Sequence, residues 1–361
     1  MFWPRQRKGG KMMKRETVLV LQGGGALGAY ECGVYKALEE REIVPDLVAG
    51  VSIGAVNAAI IAGNRRGKAA PALEAFWNEI AVPDPLIPDV DLRRFVAAWQ
   101  IALFGVPKLF SPRWLTPSWP ALLPVTWWTG TSLYDPAPLK KTLEEYVDFD
   151  RLAARETRLI LTAVNVETGE LKVFDSAEQR ITVDHILASG SFPPGLPWTV
   201  IDGKPYWDGG LVSNTPLGPV MEKRAGVPMK IYLMHLFPKA QPLPTNLAGV
   251  LARQKDILYS DKTECDLRSC ELKNETLALV QELMAHLDPA TAERIRQSGR
   301  YERLVEQGCQ VEITRFAHVG EAFESESKDY DFSRGTIQEH IRHGYEQAQV
   351  ILAQEALVAG S

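Results

Sequence analysis

Ser52 is the residue best placed to do chemistry. It sits in Gly50-Val51-Ser52-Ile53-Gly54, after the short run Asp46-Leu47-Val48-Ala49 and before the apolar stretch Ala55-Val56-Asn57-Ala58-Ala59-Ile60-Ile61-Ala62. Strand, tight turn and helix in that order fit a nucleophile elbow, G-x-S-x-G, in which a strained turn lifts a serine hydroxyl clear of a sheet. Gly50 and Gly54 allow the sharp backbone and leave room for a substrate. A second glycine-rich turn, Gln22-Gly23-Gly24-Gly25-Ala26-Leu27-Gly28, follows the strand-like Thr17-Val18-Leu19-Val20-Leu21. This turn offers free backbone N–H groups at the start of a helix, which suit a developing oxyanion. Together the turns point to acyl transfer from a serine. Each has a plainer reading alone. A buried helix entered through small residues also reads like the serine turn. Gly23-x-Gly25-x-x-Gly28 also satisfies a dinucleotide fingerprint, with Asp46 as ribose acid, yet Asp46 opens its strand where a ribose acid should close it.

A serine at an elbow needs a general base. Of the six histidines, His185 falls in a short helix, His235 in an apolar strand, and His286, His318, His340 and His343 in the tail. His235, near the end of its strand, comes closest to a triad position. His340 and His343 lie one helical turn apart and read as a solvated helix face. A carboxylate acting directly is the other route. Asp208 follows a strand and precedes Gly209-Gly210, so it can approach another loop closely; a turn or a cap for the following segment is its plain reading. Asp202-Gly203 is accounted for by a hairpin turn. No His/Cys/acid cluster has ligand spacing, so neither a metal nor a cofactor is expected.

The elements that must position these residues alternate between strand and helix, which predicts a three-layer α/β/α sandwich with a largely parallel central sheet. The chain has 361 residues, enough for one large domain with an appended piece. Residues 1–16 form a basic arm, expected to be disordered and without the apolar core of a signal peptide. Residues 17–221 form the catalytic unit, and 222–361 a mixed, mainly helical C-terminal extension. Within the catalytic unit, residues 82–138 are rich in proline and hold Trp99, Trp114, Trp119, Trp127 and Trp128. Packing of an inserted subdomain explains such a stretch, and so does a lid or acyl-binding wall over the serine. A net charge of −5 gives no reason to expect nucleic acid. Four scattered cysteines fit a reducing compartment. No run reaches the ~18 apolar residues of a membrane span. A cytoplasmic protein that touches membranes peripherally is expected.

Gly23 to Gly28, Gly50 to Gly54 and Asp208-Gly209-Gly210, in this order and spacing, resemble the patatin-like phospholipase family over roughly residues 17–221. Leu211-Val212-Ser213-Asn214-Thr215-Pro216-Leu217 is also similar to the family's sequence. The resemblance implies a patatin-like fold and a Ser–Asp dyad without histidine or metal. Ser52 is then the nucleophile, Asp208 its base, and the amides of Gly23, Gly24 and Gly25 the oxyanion hole. The implied substrate is a lipid or other acyl ester. Leu27 departs from the pattern, since many relatives carry Arg or Lys there. Beside the lipid acyl hydrolase stand two alternatives: a dinucleotide-binding oxidoreductase and a non-catalytic scaffold of the same shape.

Overall fold

Residues 18–21 and 231–234 are apolar without alternation because their sheet is covered on both faces. In the computed structural model, which describes residues 7–8, 11–12, 15–115, 130–224, 226–244, 247–301, 305, 311–318 and 329–360, they lie side by side. The strands of the main sheet are β1 (Glu16–Leu21), β2 (Leu47–Gly50), β3 (Arg158–Asn165), β4 (Leu171–Asp175), β5 (Thr199–Ile201), β6 (Lys204–Asp208), β7 (Met229–His235) and β8 (Val311–Ala317). Their order is β8-β7-β1-β2-β3-β6-β5, with β4 also paired to β3. The five strands from β8 to β3 run parallel, and β4, β5 and β6 pair antiparallel.

Val18 and Val20 face one core cluster while Leu19 and Leu21 face the other, as the two-residue period of a strand requires. The cluster of Leu19 and Leu21 holds α1 (Gly28–Glu40), α2 (Ile53–Gly63) and α3 (Ala69–Ile80). The cluster of Val18 and Val20 is closed by Leu217, Val220 and Met221 of a short helix (Leu217–Lys223) and by Cys270 of a long one (Leu247–Ala285). This is the expected three-layer sandwich. The sheet also runs on through β7 and β8, which come from the region beyond residue 222.

The register of β3 positions the site. Ile160 and Leu161 pair with both β2 and β4, so those strands lie on opposite edges of β3. Ala163 and Val164 pair with both β4 and β6. Therefore β6 occupies the same edge of β3 as β2, just beyond its end. Gly50 pairs with Leu161 and Asp208 with Ala163, a separation of roughly 7 Å along the strand.

The last described helix, Arg334–Gly360, lies against α1. A Cβ on Gly33 would strike the Ile341 carbonyl, and one on Gly344 would strike the Tyr30 carbonyl, so the two backbones touch at paired glycines. His340, expected on a solvated face, is instead buried here, its Nδ1 3.3 Å from the Ala26 carbonyl. Burial against α1 and the turn before it overrides the polar look of that helix. In the aromatic stretch a helix (Val90–Phe104) leaves Leu92, Phe95, Trp99 and Leu103 exposed along one stripe. Trp114 packs on Tyr134, and Trp119, Trp127 and Trp128 lie outside the described residues.

Candidate active site

Ser52 closes β2 and opens α2 with φ 56° and ψ −128°. Few non-glycine residues adopt this conformation, and it costs of order 1–3 kcal/mol. The turn is braced from two sides. Ser52 N–H donates to the Ser189 carbonyl at 3.1 Å and to Ser189 Oγ at 3.2 Å, and Ser189 Oγ donates to the Thr162 carbonyl at 2.7 Å. Gly50 and Gly54 approach so closely that a Cβ on Gly50 would meet the Gly54 carbonyl. The positive end of α2 starts beside the hydroxyl, which favours negative charge there.

Asp208 ends β6 and is fully buried. Its Oδ1 accepts the Gly210 N–H at 2.7 Å, which is the capping contact expected at this position. Its buried Oδ2 has no aligned hydrogen-bond partner among the described residues. Burial pushes the carboxyl up to about 7, against the pull of the Ser52 hydroxyl and the Gly210 N–H toward the charged form. The serine hydroxyl is thus close enough to be felt by the carboxylate without being aligned to its Oδ2.

The glycine turn lies beside the serine: a Cβ on Gly23 would stand 2.8 Å from Ser52 Cβ. Gly23 N–H donates to the Asn214 carbonyl at 3.3 Å, and Asn214 Nδ2 donates to the Gly23 carbonyl at 2.7 Å. Gly24 N–H and Gly25 N–H donate to no described residue. Leu27 points into the core and is fully buried. Below the turn, Glu31 accepts Gln22 N–H and Asn57 Nδ2, each at 2.8 Å, and Trp77 Nε1 donates to Asn57 Oδ1 at 3.1 Å. Burial pushes Glu31 up to about 8. Gln22 spans the floor, donating to Thr215 Oγ1 at 3.0 Å and accepting Leu236 N–H at 2.6 Å.

The site therefore brings together Ser52, Asp208 and the turn at Gly23, Gly24 and Gly25. It excludes other readings of the same residues. His235 ends β7, and β1 separates that strand from β2, a lateral distance of roughly 10 Å. Its ring is engaged by Arg315, and burial with that neighbouring cation lowers it to about 3. Asp46 Oδ2 accepts Thr17 N–H at 2.9 Å near the start of β1, the opposite end of the strand from the glycine turn, so the ribose position of a dinucleotide site has no acid. Asp202 and Gly203 have φ of 50° and 76°, as a tight hairpin turn requires. No group of His, Cys, Asp and Glu suited to a metal occurs among the described residues. Residues that sequence reasoning passed over are Asn214, Gln22, Glu31, Asn57 and Ser189. Their one signal is a polar side chain inside an apolar run, as Asn57 is within Ala55 to Ala62.

A family model described as patatin-like phospholipase matches residues 19–221. The chain belongs to the patatin-like phospholipase family. A second family model, described as patatin phospholipase, matches residues 257–360 of this patatin-like chain. It is 28% identical over 212 residues to a cGAMP-activated phospholipase of Pseudomonas aeruginosa, covering 55% of this chain and 54% of that protein. It is 40% identical over 62 residues to a triacylglycerol lipase of Arabidopsis thaliana, covering 17% of this chain and 7% of that one. This patatin-like chain thus spans about half or much less of the curated relatives it matches. Among solved structures, VipD from Legionella pneumophila aligns with a TM-score of 0.40 at 14% identity, covering 94% of this chain and 67% of that one. Among the described residues, no helix of the patatin-like chain is long and apolar enough to cross a membrane.

Proposed function

We propose that this chain is a serine acyl hydrolase of lipid esters that works through a Ser52–Asp208 dyad and an acyl-enzyme. The observation that carries the reading is the shared edge of β3, which sets Asp208 just beyond the strand that ends in Ser52, buried with its carboxyl near neutrality. A base poised there can accept a proton at physiological pH.

In the first step Asp208 takes the Ser52 proton as Oγ bonds to the ester carbonyl carbon. The carbonyl electrons move to oxygen, and the oxyanion is met by Gly24 N–H and Gly25 N–H. Gly23 is a poorer donor because its N–H is given to Asn214. The carbon–oxygen bond to the alcohol then breaks, and the alcohol leaves with the proton from Asp208. In the second step Asp208 takes a proton from water as hydroxide adds to the acyl carbon; the tetrahedral intermediate then expels Ser52 Oγ, which takes that proton back from Asp208, and the carboxylic acid departs.

Treatment with a fluorophosphonate probe, followed by mass spectrometry, tests this reading. The label is expected on Ser52, and Ser52→Ala should lose both label and esterase turnover while keeping its fold. Labelling that persists in Ser52→Ala would overturn the assignment, and a folded wild-type chain that neither labels nor turns over any ester would favour the non-catalytic scaffold.

A further inference from the structure

The glycine turn is held from outside the catalytic strands. Ala26 N–H donates to the Asp329 carbonyl at 3.0 Å, and the Ala26 carbonyl faces His340 Nδ1 at 3.3 Å. Gly25 has φ 56°, and a Cβ there would strike the Asp329 carbonyl, so the two backbones touch. The side chain of Asp329 is paired with Lys255 Nζ, on the long helix Leu247–Ala285. That ammonium also lies 4.8 Å from the centre of the Tyr330 ring. One turn further along the same helix, Tyr259 feels both Lys255 and Asp208 and packs on Phe237 with ring centres 4.9 Å apart. The segment after Tyr330 is stitched down as well. Val82 N–H donates to the Phe332 carbonyl at 2.9 Å, and buried Asp331 accepts Thr336 Oγ1 at 2.7 Å.

We propose that the Lys255–Asp329 pair is a clasp that positions the glycine turn, through the Asp329 carbonyl on Ala26 N–H, so that Gly24 N–H and Gly25 N–H are aimed at the reacting carbonyl. The inference rests on the reading of those amides as oxyanion donors and gives the C-terminal region a part in that site. Neither Lys255 nor Asp329 touches the reacting atoms; both are positioning residues. The pair is well suited to this. Its side chains are 27% and 12% exposed, so it is sheltered enough to hold one geometry, and losing one partner leaves the other charge poorly compensated. An oxyanion donor acts only when its N–H points where charge develops, and losing one costs roughly 10²–10³ in rate. A turn rich in glycine has no side chains of its own to fix that direction, so a contact from elsewhere must do it.

The full chain carrying Lys255→Met or Asp329→Asn tests the clasp, with Lys255→Arg as the conservative control. Two readouts are needed. Hydrogen exchange of the peptide spanning residues 23–27 should speed up in both variants and stay near wild type in Lys255→Arg. On a soluble short-chain ester, kcat per fluorophosphonate-labelled serine should fall about tenfold or more, toward the loss of a donor, with KM within about twofold. A purely structural pair would lower the melting temperature and the labelled fraction but leave kcat per labelled serine unchanged. Unchanged exchange in that peptide in both folded variants overturns the clasp. Faster exchange with unchanged kcat per labelled serine would make the pair a structural one and overturn its positioning role, whereas a wild-type chain that neither labels at Ser52 nor turns over any ester would overturn the reading on which the clasp rests.

Discussion

Asp208 Oδ1 accepts the Gly210 N–H at 2.7 Å while its buried Oδ2 has no hydrogen-bond partner among the described residues, so in the proposed dyad Oδ2 is the oxygen open to the serine proton. The Gly210 contact fixes the rotation of the carboxylate, which is what a histidine does with its second nitrogen in a triad. A two-residue site can thus be oriented as firmly as a three-residue one.

Asp208→Asn keeps the shape and removes the proposed base, so turnover should fall by at least ~10²–10⁴. The same change should stabilise the fold in alkaline buffer. The folded carboxyl sits at about 7, above its usual value of about 4, so the folded state binds the proton more tightly. The stability from that proton is complete below about pH 4 and is lost as pH rises through about 7. Melting curves should show Asp208→Asn above wild type at about pH 8, with the gap closing toward about pH 5. A wild-type chain that melts higher than the variant at alkaline pH would contradict the burial argument.

Ser52→Gly should be more stable than Ser52→Ala. The backbone at this position has φ 56° and ψ −128°, which glycine adopts readily and alanine does not. Relief of strain of order 1 kcal/mol is expected in urea titrations. Equal midpoints for the two variants would mean that the turn is not strained.

Glu31→Gln should destabilise the chain by about 1–3 kcal/mol in the same titrations, since an amide nitrogen would face a donor in place of an acceptor. Both Glu31 oxygens are in use, one by Gln22 N–H and the other by Asn57 Nδ2. A neutral effect would require the network to rearrange around Trp77.

Trp99→Ala and Phe95→Ala should raise KM for a long-chain ester in micelles by about tenfold, because burying one large side chain contributes about 1.5–3 kcal/mol. Both rings are exposed on the same stripe of the helix Val90–Phe104. Hydrolysis of a soluble short-chain ester should be unaffected. An equal loss on both substrates would assign the rings to packing.

The order of strand, glycine turn and helix was legible because each turn needs residue types that nothing else in those stretches needs. The largely parallel sheet was legible for the same reason that its strands lack alternation. What could not be read was long-range pairing. That β6 shares an edge of β3 with β2 depends on register, which no local pattern encodes. His340 looked solvated because its neighbours Arg342 and His343 are polar, yet its own direction is set by α1. Asn214 is one ordinary residue in a loop until Gly23 is brought to it from far away in the chain. Lys255 and Asp329 carry no motif at all, and their meaning arises only from the turn they reach.

The paired glycines at the crossing of α1 and the last described helix set a condition on synthesis. Gly33 emerges from the ribosome early and its partner Gly344 long after Ser52 and Asp208 have been made. A nascent chain can therefore carry the whole dyad while α1, which begins where the glycine turn ends, still lacks the surface it rests on. If the chain is the proposed acyl hydrolase, such an intermediate should react poorly with esters until the helix Arg334–Gly360 has emerged, so the order of synthesis would itself delay activity.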